Sequence, residues 1–173
     1  MTDYARQESY EVRFEWGLVG LRTVAMDDPV AVVVDVLSFS TAVSVALSRK
    51  AVVLPFVWRD DRAAEYARRH DALLAASRGS STYSLSPASL RALPPQTRIV
   101  LPSPNGSTIC FEAPCSVVFA AQFHLPDTIL RCTSGTELVQ AGFATDISLA
   151  AELDVDDQAS ILCGGAFVPQ SPA

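Results

Sequence analysis

Short β-branched runs alternate along this chain with stretches of helical periodicity, and this alternation constrains the fold more than any other feature. The clearest run is Ala31–Val36, a nearly continuous apolar segment that is typical of an interior strand covered on both faces. In the segment that follows, apolar residues such as Phe39 and Val43 recur at helical spacing. The pattern predicts an α/β domain whose sheet is largely parallel or mixed and is flanked by helices.

The other elements follow from the same periodicities. Further strands are predicted at Glu11–Trp16, Ala51–Val57, Arg98–Leu101 and Ser116–Phe119, and a long helix at Asp60–Ala76. Proline has no N–H for a sheet ladder, so we expect Pro55 to interrupt its strand or to place it at an edge. We expect seven side chains to lie in the core of one sheet: Val32, Val34, Val53, Ile99, Val100, Val117 and Val118.

Composition narrows the class of protein. The chain has 173 residues, 49% of them hydrophobic, and a net charge of −6, which favours a single folded domain over residues 1–173. It has no run of ~20 apolar residues and its N-terminus is polar, so we expect no membrane span, no signal peptide and a cytoplasmic location. Its 13 basic residues form no cluster, which argues against a nucleic-acid partner.

A carboxylate and two hydroxyl residues follow the first valine-rich strand. Asp35 stands where the strand ends, and Ser40 and Thr41 stand where the next helix begins. In open α/β sheets, ligands bind outside the carboxyl ends of strands, and a helix N-terminus favours phosphate. This pattern suits a divalent cation on Asp35 and an anion on the two hydroxyls. The alternative is structural, with Asp35 satisfying a helix end and the hydroxyls only capping it.

A second polar turn, Ser103–Thr108, follows the strand predicted at 98–101. Asn105 and Gly106 tolerate positive φ, so successive N–H groups can form an anion-binding nest ahead of Ser107 and Thr108. An Asn-Gly turn taken alone is an ordinary surface turn. However, both motifs follow strands predicted to be parallel, and such strands end at one edge of a sheet. We therefore expect one pocket formed by Asp35, Ser40, Thr41, Asn105, Gly106 and Ser107.

Three segments in combination resemble the 2-phosphosulfolactate phosphatase family. They are VVVDVLSFST at Val32–Thr41, SLSPASL at Ser84–Leu90 and LPSPNGST at Leu101–Thr108, and they agree with the family in order and spacing. The resemblance extends over about Ala31–Ala121, and Ser134–Asp154 is similar to the family's C-terminal end. It implies a 2-phosphosulfolactate phosphatase-like α/β fold.

The resemblance also implies an activity. It indicates a magnesium-dependent phosphatase that hydrolyses 2-phospho-3-sulfolactate, or a similar small phosphorylated acid, to the hydroxy acid and phosphate, as in coenzyme M biosynthesis. Asp35 matches the family's strand-end aspartate, which gives it the catalytic and Mg²⁺-binding roles. Arg78 matches a basic position ahead of the Ser-Pro loop. The residues expected to bind substrate are Ser40, Thr41, Arg78, Asn105, Gly106, Ser107 and Thr108.

One departure from the family pattern comes after Ala121. The family continues there with an Arg-Asn-containing helix, a strand, a Gly-Glu-Arg loop and an Asp-rich helix, whereas residues 121–131 run almost directly into Cys132–Gly135. Relative to the family, a middle segment is therefore missing. This supports a second hypothesis, a catalytically impaired remnant that binds anions or forms a homo-oligomer, because a shortened sheet exposes apolar surface for a partner to cover.

Overall fold

The computed structural model describes residues 4–25, 30–57, 61–80, 82–115, 117–121, 126–152 and 159–169. The helices are a 3-10 turn at Tyr4–Arg6, α1 (Gly17–Val24), α2 (Phe39–Ser48), α3 (Asp61–Arg69), α4 (Pro87–Leu90), α5 (Gly106–Glu112), α6 (Pro126–Arg131), α7 (Thr133–Gln140) and α8 (Ala144–Ala150). The strands are β1 (Val30–Val34), β2 (Val52–Phe56), β3 (Leu73–Leu74), β4 (Arg98–Pro102), β5 (Val117–Ala121), β6 (Ser160–Cys163) and β7 (Ala166–Phe167). None of the helices in these ranges has the length and apolar character needed to cross a membrane.

The strands form one seven-stranded sheet in the order β1-β5-β6-β7-β2-β4-β3. β1 pairs in parallel with β5, and β4 pairs in parallel with both β2 and β3. The β6–β7 hairpin joins these two groups through antiparallel pairings only. As a result, β1 and β5 run in the opposite sense to β2, β4 and β3. The protein is therefore an α/β protein with a mixed sheet, as predicted.

The strand order places β1 far from β4. β1 and β4 are five strand steps apart, which in a flat sheet would separate them by about 24 Å at ~4.8 Å per step. Nevertheless the loop after β1 contacts the loop after β4, because Asp35 Oδ2 accepts a hydrogen bond from the Gly106 N–H at 2.8 Å. Helix α5, which packs against β1, β2 and β4, fills the space between the two ends of the sheet.

Helices bury both faces of β2 and β4, which we call the covered half of the sheet. Val53 and Ile99 lie in the main core with α2, whereas Leu54 and Val100 pack on the opposite side with Ala63 of α3. The alternation of side chains along a strand sends neighbouring residues to opposite faces. A strand that is covered on both faces therefore needs apolar residues at consecutive positions, and β2 and β4 have them.

β1 and β5, which we call the open half, have one buried face. In β1, Ala31 and Val33 are buried, but Val30, Val32 and Val34 are 62%, 60% and 50% exposed. The prediction of an interior strand covered on both faces is thus wrong, and so is the core position of Val32 and Val34. β1 is instead an edge strand. The remaining predicted core residues are buried or half-buried: Val53, Ile99, Val100, Val117 and Val118.

The strand predicted at Glu11–Trp16 is wrong, since this segment has no regular structure. The N–H and C=O groups of Phe14 bond to the side-chain amide of Gln7 at 3.1 and 2.9 Å instead of to a neighbouring strand. Val12 and Trp16 are 87% and 79% exposed. The alternating polar and apolar residues of this segment therefore do not form a strand of the sheet.

Two further boundaries differ from prediction. The helix predicted at Asp60–Ala76 ends at Arg69, and Asp71, with a φ of 48°, turns the chain into the edge strand β3. Pro55 neither interrupts β2 nor lies at an edge, since β2 sits between β7 and β4. β7 pairs with β2 only at Val53, so the absence of an N–H at Pro55 leaves that short ladder intact.

Candidate functional site

Ser40 fixes the loop between β1 and α2. Its hydroxyl donates to the Val33 carbonyl at 3.2 Å and accepts the Asp35 N–H at 3.0 Å. Its own N–H donates to the Asp35 carbonyl at 2.9 Å. Thr41 acts similarly, since its hydroxyl donates to the Val36 carbonyl at 2.8 Å. The two hydroxyls therefore hold the backbone that presents the Asp35 carboxylate.

Ser107 fixes the loop between β4 and α5. Its hydroxyl donates to the Leu101 carbonyl at 2.7 Å and accepts the Phe56 N–H at 2.8 Å, which ties the ends of β4 and β2 together. Its N–H donates to Ser103 Oγ at 3.0 Å. The hydroxyl of Thr108 donates to the Ser103 carbonyl at 2.8 Å. This network sets the conformation of the Asn-Gly turn.

The two loops meet through Asp35 and Gly106. Asp35 Oδ2 accepts the Gly106 N–H at 2.8 Å across 71 positions of sequence. The contact requires glycine, because a Cβ at position 106 would lie 2.5 Å from Phe39 Cδ1 and 2.8 Å from Asp35 Oδ2. The predicted approach of the two loops is confirmed at Asp35 and Gly106, but its reason is wrong, because β1 and β4 run in opposite senses and do not end at one edge as parallel strands would. That the two loops form one pocket stays a prediction.

Arg78 supplies the positive charge beside this contact. Its Nη2 donates to Ser38 Oγ at 2.6 Å, and its Cζ lies 5.6 Å from the centroid of the Phe143 ring. Its charge also lowers the pKa of Asp35, less than the Gly106 and Phe39 N–H groups do. Arg78 is therefore bonded to the loop that carries Asp35, and its role in substrate binding stays a prediction.

Burial controls the titration of the site. Burial raises the pKa of Asp35 above its ordinary value of 3.8. The N–H groups of Gly106 and Phe39 and the charge of Arg78 lower this pKa, but burial has the larger effect. Burial also raises the pKa of the nearby Cys110 to about 12, and the Asp35 charge adds to this effect. Cys110 is therefore a protonated thiol at neutral pH and not a nucleophile.

A functional candidate that the sequence prediction missed is Asp146 in α8. This side chain is 1% exposed, and its Oδ1 accepts the Ser86 hydroxyl at 2.6 Å and the Ala88 N–H at 3.1 Å. Its Oδ2 lies 3.6 Å from Arg78 Nε. One signal was present in the sequence: Asp146 is the sole charged residue in an otherwise small and apolar helix, ATDISLA.

The predicted substrate-binding hydroxyls are occupied by backbone partners. Each of Ser40, Thr41, Ser107 and Thr108 donates its one hydroxyl proton to a carbonyl. A hydroxyl has a single proton to donate, so binding a phosphate oxygen this way would require breaking such a bond. Their role in substrate binding stays a prediction. The groups better placed for an anion are Arg78, which is partly exposed, and Asn105, which is exposed.

Asp35 meets the minimum requirement for a magnesium ligand. No group of three or more His, Cys, Asp or Glu residues within the described ranges is arranged to hold a metal ion. Magnesium, however, is held in many enzymes by one or two carboxylates, with waters and substrate phosphate oxygens completing the shell. The site therefore fits a metal that arrives with its substrate better than a permanently bound one.

A separate cavity of about 250 Å³ contains none of the predicted site residues. Its walls come from β2, α3, α5 and the β6–β7 hairpin: Pro55, Tyr66, Cys110, Phe111, Ala113, Cys115, Leu162, Gly164 and Gly165. The lining mixes polar and apolar surface, and none of these residues is a cation that could bind an anionic ligand. The candidate site is therefore the Asp35–Gly106–Arg78 cluster and not this cavity.

A scan against models of known protein families finds no match to this chain, and a search of curated proteins finds none either. The resemblance to the 2-phosphosulfolactate phosphatase family thus rests on the quoted segments and stays a prediction. What the site does has to be judged from its geometry and charges.

Proposed function

We propose that the protein is a magnesium-dependent phosphomonoesterase acting on a small, multiply anionic acid such as 2-phosphosulfolactate. The observation that carries this proposal is the contact between Asp35 and Gly106, 71 positions apart, next to Arg78, which bonds to Ser38 in the same loop as Asp35. Phosphoryl transfer depends mainly on positioning and on stabilisation of charge, and a carboxylate beside a guanidinium suits both requirements.

Asp35 is the residue that would hold the metal. The Gly106 N–H fixes one of its oxygens, and the Ser40 network fixes its backbone, so its carboxylate has a set orientation. Bound Mg²⁺ would neutralise charge on the phosphoryl oxygens. A cation at this position would also offset the burial that now raises the pKa of Asp35.

Arg78 is the residue that would bind an anionic group of the substrate. A guanidinium offers donors in a planar fork that matches carboxylate, sulfonate or phosphate oxygens. Ser38 and Phe143 hold the guanidinium against the loop that carries Asp35. The exposed side chain of Asn105 is available at the rim of the same loops.

Phosphate release from a panel of phosphorylated hydroxy acids, with Mg²⁺ and with a chelator, tests this function. The panel should include 2-phosphosulfolactate, 2-phospholactate and 3-phosphoglycerate, which all have a phosphate ester and a carboxylate, whereas only the first has a sulfonate in addition. We expect release that requires Mg²⁺ and favours the substrates with more anionic groups. Activity that persists in the chelator, or no activity on any member, would contradict the proposal.

A second candidate function is favoured by the exposed face of β1. Three valines there are half or more exposed, and β1 lies at one end of the sheet among the strands that the structure describes. Such a surface is typical of a protein that associates, so the alternative is a non-catalytic remnant that forms a homo-oligomer through the open half. Light scattering on the wild type and on Val32→Lys distinguishes the two. Self-association that this substitution abolishes, together with no turnover, would favour the remnant.

A further inference from the structure

Asp146 and Arg78 form a buried ion pair whose facing atoms stay beyond hydrogen-bond distance. Asp146 Oδ2 and Arg78 Nε are 3.6 Å apart, and within the described part of the chain neither atom has a hydrogen-bond partner. The other oxygen, Oδ1, accepts hydrogen bonds from Ser86 and Ala88. The two oxygens of Asp146 thus serve different neighbours: one holds the start of α4, and the other faces the guanidinium.

This division fixes the orientation of Arg78. Two donors anchor Oδ1, so the negative charge on Oδ2 has a defined position in a dry environment, where it attracts the guanidinium strongly. Ser38 holds Nη2 at 2.6 Å, and the Phe143 ring lies against the guanidinium. Nε is turned towards Asp146, and Nη2 also donates to the Leu85 carbonyl at 3.5 Å, so Nη1 is the part of the fork that would serve a ligand.

We propose that Asp146 is a positioning residue that holds Arg78 for an oxyanion bound beside Asp35. The ligand class is a phosphate, sulfonate or carboxylate group, whose paired oxygens fit a guanidinium. The inference rests on the proposed function for the location of the site, but it concerns binding and does not require turnover. The competing explanation is that the pair is only structural.

Titration calorimetry of the full chain with inorganic phosphate, with and without Mg²⁺, tests the proposal. Asp146→Asn keeps an oxygen for Ser86 and Ala88 but removes the charge that faces Arg78. We expect it to weaken phosphate binding by about tenfold, which corresponds to ~1.4 kcal/mol. Arg78→Gln should weaken binding at least as much. In the Arg78→Gln background, Asp146→Asn should have no further effect, because a positioning residue acts only through the group that it positions.

Asp61→Asn is the matched control. It makes the same chemical change at an exposed carboxylate of α3, so phosphate affinity should stay within about twofold of the wild type. The inference is wrong if Asp146→Asn binds phosphate as well as the wild type, if its effect persists without Arg78, or if the wild type binds no phosphate at millimolar concentration. Phosphate binding without hydrolysis of any ester would instead contradict the proposed function alone.

Discussion

The covered half and the open half of the sheet are built from similar sequences and differ in what surrounds them. β4 reads RIVLP and β1 reads VAVVV, and either would serve as an interior strand. In β4 every residue after Arg98 is buried, because α2 and α3 lie on its two sides. In β1 every second residue is exposed. A β-branched run thus indicates a strand, whereas its coverage depends on elements elsewhere in the chain.

The two halves also contribute differently to the site. The open half provides the charge, Asp35, and the covered half provides the donor, the Gly106 N–H. Each is held by a serine that bonds to its own strand, Ser40 and Ser107 respectively. The site therefore joins an edge strand to a buried strand, and substitutions on its two sides should have different consequences.

The largest effect is expected from Asp35→Asn. Asparagine keeps an oxygen for the Gly106 N–H but loses the charge that a hard cation needs, so turnover should fall on the order of a thousandfold. The fold should be retained, with a melting temperature equal to or above that of the wild type. Both quantities should be measured on one preparation, with Asp61→Asn, an exposed charge on α3, as the control. Normal turnover with lost stability would remove Asp35 from the mechanism.

A pair of identical substitutions compares the two halves directly. Val100 is fully buried in β4, whereas Val32 in β1 is 60% exposed. Val100→Ala should lower the free energy of unfolding by about 2–3 kcal/mol, because it removes buried methyl groups and leaves a cavity. Val32→Ala should change it by less than about 0.5 kcal/mol. Urea denaturation measures both.

Equal losses for the two valine variants would contradict the difference between the halves. They would show that the outward face of β1 is covered in solution. In that case the midpoint of unfolding should depend on protein concentration, since a second copy that binds only the folded state stabilises it by mass action. A midpoint independent of concentration fits the open edge that the structure shows.

Gly106→Ala tests the contact between the halves. The added methyl would overlap with the Phe39 ring and with the Asp35 carboxylate, and Phe39 is fully buried. Overpacking of this kind should cost about 1–3 kcal/mol of stability, and it should separate Asp35 from the turn. Asn105→Ala is the control in the same turn, because Asn105 is exposed and its side chain makes no capping bond. Equal melting temperatures for Gly106→Ala and Asn105→Ala would contradict the claim that the contact of Gly106 with Phe39 and Asp35 requires glycine.

The sequence predicted local structure better than topology. The strands β2, β4 and β5 and the helix α2 lie where periodicity indicates, because each buries an apolar face that can be recognised in a short window. The reversed sense of the two halves depends on the β6–β7 hairpin, whose strands have four and two residues. Strands so short carry almost no periodic signal, so the mixed sheet could be expected but its order could not.

The same limit applies to the site. Asp35, Asn105 and Gly106 could be identified because they follow recognisable strands. Asp146 had one local signal, as the sole charged residue of α8, but its contact could not be predicted, since its partner Ser86 is 60 positions away and no local pattern links α8 to α4. The hydroxyl residues were recognised as polar groups at helix starts, but their partners are backbone carbonyls that only the fold brings near.

The smallest effect is a pH dependence that separates burial from hydrogen bonding at Asp35. Burial raises the pKa of this carboxyl above 3.8, while Gly106, Phe39 and Arg78 oppose the change. The folded state therefore holds the proton more tightly than the unfolded state, so the stabilisation present at low pH is lost as pH rises through the folded pKa. Asparagine does not titrate, so wild-type stability relative to Asp35→Asn should fall as pH rises above about 4 and level off above the folded pKa. Thermal unfolding of both proteins across that range measures the difference. If the stability of the wild type relative to Asp35→Asn rises with pH instead, the two N–H groups and Arg78 have a larger effect on the pKa than burial does. The ionised Asp35 carboxylate would then stabilise the fold, and its role would be structural.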